Sequence, residues 1–169
     1  MANTYTLISS VTVSSATNTI SFTSIPQTYT DLLFKISGRF SIDTASAFLR
    51  YNGTTTNGTS IFLEGSGSSA SSSTDGSYQY GPIHGVVNST KTANTFGNAE
   101  IYIPNYTSSN YKSSSSDGVT ENNGAATTMA LGANLWSNTA AITSIEIVGA
   151  ASADFVEHST AYLYGISNA

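Results

Sequence analysis

Two histidines, ten carboxylates and a large stock of hydroxyls are the groups in this chain that could do covalent chemistry. Acyl transfer by serine needs a nucleophile, a histidine and an acid in mutual reach. Serines abound, but no G-x-S-x-G elbow occurs. The histidines are His84 and His158. The second lies in Asp154-Phe-Val-Glu157-His158-Ser159, where a carboxylate could orient it; the plainer expectation for both is a strand end or the surface. Glycoside hydrolysis needs two carboxylates about 5–10 Å apart. Glu64, Glu100 and Glu146 fall at or within predicted strands, and each is expected to face solvent or an arginine, Arg39 or Arg50. Asp117-Gly-Val-Thr-Glu121 offers oxygen ligands for a hard cation but lacks the EF-hand spacing. Gly65-Ser-Gly67-Ser-Ser-Ala70 fits the loose dinucleotide pattern G-x-G-x-x-A. That pattern works only at a helix N-terminus, and the Ser/Thr run that follows will not build one. With no cysteine, disulfides, thiolate zinc sites and thiol nucleophiles are excluded. The expectation is a chain with no catalytic residue, metal or cofactor.

Binding is a better prospect than catalysis. Tyr78, Tyr80, His84 and Trp136 lie near predicted loops or strand ends, and Tyr106 and Tyr111 flank another loop. Such side chains can pack in the core, anchor a subunit interface or stack on sugar rings. These six are the candidate contact residues.

The elements that must position them are strands. Charged residues make up 9% of the 169, against about 25% in an ordinary soluble domain. They are replaced by 29 Ser, 24 Thr and 14 Asn, which disfavours a helical bundle. The aromatic and β-branched content disfavours disorder. The net charge is −5 and the five basic residues are scattered, so nothing supplies a phosphate-binding surface for nucleic acid. No membrane-length apolar run occurs, and the N-terminus lacks the basic start and apolar stretch of a signal peptide, so a cytoplasmic origin in the host cell is expected.

Period-2 alternation predicts strands at Asp31–Phe40, Ala47–Asn52, Glu100–Ile103, Ile142–Val148 and Tyr162–Ile166. Weaker signals mark Tyr5–Val13, Ile20–Phe22, Thr59–Leu63, Ile83–Val87 and Thr127–Leu131. Asn52-Gly53, Asn57-Gly58, Asp75-Gly76, Asp117-Gly118 and Asn123-Gly124 read as tight turns. Gly65–Gly76 and Thr107–Ser116 read as long exposed loops, the first a contact arm that orders on assembly. The expected fold is a single all-β domain over 1–169, an antiparallel β-sandwich, jelly-roll-like, with about eight to ten short strands.

Several phrases run nearly the length of the chain: Tyr5-Thr-Leu-Ile-Ser-Ser-Val11, Ile20-Ser-Phe-Thr-Ser-Ile-Pro26, Glu100-Ile-Tyr-Ile-Pro-Asn-Tyr106, Leu135-Trp-Ser-Asn-Thr-Ala-Ala-Ile142 and Ser159-Thr-Ala-Tyr-Leu-Tyr-Gly-Ile166. In them the chain resembles short virion structural proteins of marine and freshwater tailed phages, cyanophages especially. The resemblance implies a structural virion component, a capsid decoration (cement) protein or a tail-fibre or head-fibre piece. The expected partners are the major capsid protein, further copies of the chain (a homotrimer) and, in the fibre reading, host surface glycan.

Overall fold

The computed structural model describes residues 4–43, 47–75, 82–121, 123–124 and 127–167. Thirteen strands occur among them: β1 (Tyr5–Thr12), β2 (Thr19–Phe22), β3 (Asp31–Arg39), β4 (Ala47–Tyr51), β5 (Gly58–Gly65), β6 (Ala70–Asp75), β7 (Pro82–Ile83), β8 (Val86–Val87), β9 (Gly97–Ile103), β10 (Lys112–Val119), β11 (Met129–Trp136), β12 (Ile145–Gly149) and β13 (Thr160–Ile166). A nine-stranded sheet runs β1-β13-β3-β9-β10-β11-β5-β6, with β8 paired to β3, and a four-stranded sheet runs β2-β12-β4-β7. All pairings but β3–β8 are antiparallel. The all-β sandwich expected from the alternation is the fold observed.

The core lies between the two sheets. Leu32, Phe34 and Ile36 of β3 point inward with Ile101 and Ile103 of β9 and Leu163 of β13, and meet Ile20, Phe22, Leu49, Ile145 and Ile147 of the small sheet. Phe22 meets Phe34 edge to face at 5.9 Å, and Tyr51 lies 5.5 Å from Trp136. Burying each such side chain stabilises the fold by about 1.5–3 kcal/mol.

Two stretches expected as loops are strands. Of Gly65–Gly76, residues 65–75 are the end of β5, the turn Ser66–Ser69 and edge strand β6, paired with β5 from Gly65↔Ala70 to Ser60↔Asp75, while Gly76 lies outside the described residues. Thr107–Ser116 contains the start of β10. Backbone ladder bonds form whatever the side chain, so a run of serines can pair as a strand while showing no alternation. The arm expected to order only on assembly is thus already paired within the single chain. Ile83–Val87 is two short strands in different sheets, β7 against β4 and β8 against β3.

The Asx-Gly pairs divide. Asn52-Gly53 is a tight turn, both residues at positive φ, with Thr54 N donating to Tyr51 O. It joins strands of different sheets, not a hairpin. Asn52 also clamps the chain before β12, accepting from the backbone N–H groups of Thr143 and Ser144. Asp117-Gly118 is no turn but lies inside β10, which also removes the loop that the cation reading required. A Cβ on Gly118 would overlap the carbonyl oxygen of His84, and one on Gly97 would lie 2.5 Å from that of Gly85. The His84-Gly85 link, passing from one sheet to the other, rests backbone on backbone against β9 and β10.

Candidate functional site

Two regions gather the groups of interest, one on each face of the large sheet. On the inner side, a cavity of about 280 Å³ is lined by Glu64, His84, Asn88, Lys91, Thr120 and Thr128 among others. His84 Nδ1 lies 2.7 Å from Glu64 Oε1, and the imidazole packs 4.7 Å from the Phe62 ring. The pair looks like a catalytic dyad, but His84 Nε2 is sealed from solvent and without a hydrogen-bond partner among the described residues. A general base must reach a substrate proton, and this nitrogen does not face one. Burial pushes the imidazole below its ordinary value of 6.5, and the nearby Glu64 carboxylate opposes that.

The folded chain therefore holds the His84 proton less tightly than the unfolded chain does. Its contribution to stability is present above about pH 6.5 and is lost as the pH falls through the lower folded value. Thermal melts of wild type and His84→Gln across that window are expected to differ in slope, the variant losing less stability on acidification. Parallel pH profiles would remove His84 from the account.

The outer side of the large sheet is covered by nothing in the described chain. Its outward residues follow from the register. They are Tyr5 and Leu7 on β1, Tyr162 and Tyr164 on β13, Leu33 and Lys35 on β3, and Glu100 and Tyr102 on β9. The face continues through Ser115 and Asp117 on β10 and Leu131 and Ala133 on β11 to Ile61 and Leu63 on β5. Eight of the ten large hydrophobics exposed among the described residues stand on this one face.

The face has two halves. Over β1, β13, β3 and β9 it is aromatic, with a shallow cavity of about 380 Å³ lined by Tyr5, Leu33, Lys35, Glu100 and Tyr164. Lys35 pairs with Glu100 at 2.5 Å, and the Tyr162 and Tyr164 rings stack at 6.5 Å. Glu100 raises the Lys35 ammonium above its ordinary value. Tyr102 is held by Asp31, which accepts from its hydroxyl and from Asn105 N, both at 2.8 Å. Over β11 and β5 the face is aliphatic, and the usual alternation is inverted. Ile61, Leu63, Met129 and Leu131 are 53–61% exposed, whereas the inward Ser60, Ser114 and Ala130 are 4–5% exposed.

The expected contact residues scatter. Trp136 and Tyr106 are core side chains, 1% and 0% exposed, with the Tyr106 hydroxyl donating to Pro26 O. Of the three roles open to them, core packing is the one observed, with Trp136 set between Tyr51 and Lys112. His84 is half-buried on the inner side. Tyr111 is exposed before β10. Tyr78 and Tyr80 lie outside the described residues. Glu64, Glu100 and Glu146 are not brought together: the first points inward, the second outward from the same sheet, and the third stands opposite Arg50 in the small sheet. His158 sits exposed in the turn before β13. Gly65–Ala70 is a hairpin turn, not a helix start. Sequence reasoning missed Tyr5, Tyr162, Tyr164 and the Ile61–Leu131 cluster as surface residues. Their alternation was legible, but not which side of it faces out.

Comparison with protein-family models, characterised proteins and solved structures finds no match for this chain.

Proposed function

We propose that the chain is a phage virion structural protein, a capsid decoration protein that binds the outer lattice and bridges capsomers, and that it is not an enzyme. The observation that carries this reading is the uncovered outer face of the nine-stranded sheet. Two exposed apolar clusters on one face, parted by Lys35, Glu100, Ser115 and Asp117, mark an interaction site. The reading has further support from the strand order. Along the chain β1, β2, β3 and β4 alternate between the two sheets, as in a jelly roll, with β10 and β11 inserted as an extra hairpin. Jelly rolls serve both capsids and lectins. Attachment then comes from apolar and hydrogen-bonding contact totalling about 1,200–2,000 Å² at capsomer junctions. Three copies fit a three-fold lattice point.

The test is rebinding of purified protein to capsids that lack it. Saturable binding that survives high salt is expected, since few charges take part. Failure to bind would remove the decoration role.

The tyrosine-lined cavity favours a second reading, a tail-fibre or head-fibre module for host surface glycan. Aromatic rings flanked by a Lys–Glu pair suit a sugar's apolar face and hydroxyls. In that case host polysaccharide binds the protein, and Tyr164→Ala abolishes binding.

A further inference from the structure

We propose that the aliphatic half of the outer face, over β11, β5 and β6, is the surface through which copies of this chain assemble with one another. The argument begins with the inverted alternation. A sheet with one covered side turns its apolar set toward the cover. Here the covered side of β5 and β11 carries Ser60, Ala130, Gly132 and Asn134 alongside Phe62 and Trp136, and the bare side carries Ile61, Leu63, Met129, Leu131 and Leu135. The aliphatic set of these two strands is therefore placed for a cover that the described residues do not supply.

Charge selects the occupant. The outward positions of β11, β5 and β6 are Met129, Leu131, Ala133, Leu135, Thr59, Ile61, Leu63, Gly65, Ala70, Ser72 and Thr74, and none is ionisable. A site for a differently charged partner would carry complementary charge. A chain of net charge −5 that meets its own copy here brings no ionisable side chain of these three strands against its like, and Asp117, on the outward side of the adjoining β10, stands at the border with β9. Shape agrees. Beside the Leu63–Leu131 ridge, Ala133 floors a groove of about 290 Å³ walled by Ile61, Leu135 and Ser113. Ridge and groove on one patch allow the same surface to meet itself across a rotation axis.

Area agrees too. With the outward side of the adjoining β10, the four strands, about 4.8 Å apart and about 25 Å long, present roughly 500 Å² in projection. Two such faces reach about 1,000 Å², the size a specific interface must clear. The inference rests on this face alone and does not require the capsid reading.

The test uses light scattering on the full-length protein, with Ile61→Asp/Leu131→Asp as the disrupting variant. Both side chains are exposed, so the variant keeps its fold, checked by circular dichroism. The expected result is a wild type of two or three chain masses and a monomeric variant. A wild-type monomer, or an oligomer indifferent to the substitutions, would overturn the inference. Should the variant misfold, Leu131→Cys replaces it. In a chain with no other cysteine, a flexible bis-maleimide, which bridges thiols that do not touch, is expected to link copies at that position, whereas Glu146→Cys on the small sheet is expected to stay unlinked. Equal linking at both positions, or none at either, would overturn the inference as well. An oligomer of two through this face would keep the inference and remove the homotrimer from the proposed function.

Discussion

Gly118→Ala is expected to destabilise the fold by about 3 kcal/mol or more, the upper end of overpacking costs. In a chain of this length that is a fall of about 10 °C in Tm. The added Cβ would occupy the space of the His84 carbonyl oxygen, and Gly85, itself at φ +137, lies just beyond. Neither partner is a flexible side-chain tip that could swing away; both are backbone of the link joining the sheets. Gly65→Ala is the matched control, since a Cβ there meets nothing within 4 Å. It is expected to leave Tm nearly unchanged. Equal effects at the two positions would mean that the link does not rest on β10.

Lys112→Met is expected to cost about 2–4 kcal/mol although it keeps most of the side-chain volume. Lys112 is 2% exposed. Its ammonium donates to Asn110 O at 2.6 Å, Ala140 O at 2.9 Å and Asn138 O at 3.5 Å, and sits 5.7 Å from the Trp136 ring centre. These bonds tie the ends of β10 and β11 to the chain leading into β12. Methionine fills the space but leaves three part-buried carbonyls without their charged donor, and hydrogen bonds to a charged group are the costlier ones to lose. Denaturant melts of wild type and Lys112→Met check this. A change under about 0.5 kcal/mol would reduce Lys112 to a packing residue.

How far the sequence disclosed the structure depends on what each residue answers to. β3 was plain because Leu32, Phe34 and Ile36 alternate with Lys35, Ser37 and Arg39, and the core reads that contrast directly. β6 and β10 were hidden because Ser and Thr stand on both faces, so pairing left no mark in polarity. Gly118 read as a turn because Asp-Gly usually is one, whereas its reason is a backbone crossing from a distant segment. Arg39 gave no sign of its task, donating to the carbonyls of Ser89, Lys91, Thr92 and Thr95 and fastening that loop. Trp136 and Tyr106 stayed open between core, interface and sugar contact, because aromatic type alone does not separate a ring that anchors a core from one that meets a partner. The outer face was half legible. Ile61 with Leu63, and Leu131 with Ala133 and Leu135, alternate in the sequence, but alternation names two faces without saying which is turned to solvent.

The central claim is that this face serves a structural role on a virion. Its most direct test is a copy count on intact particles, by quantitative mass spectrometry against the major capsid protein. The account predicts one copy per capsid subunit or a simple fraction of that ratio, as a lattice-bound decoration protein requires. A handful to a few dozen copies per particle would contradict it and place the chain in a tail or fibre; no copies at all would remove it from the virion.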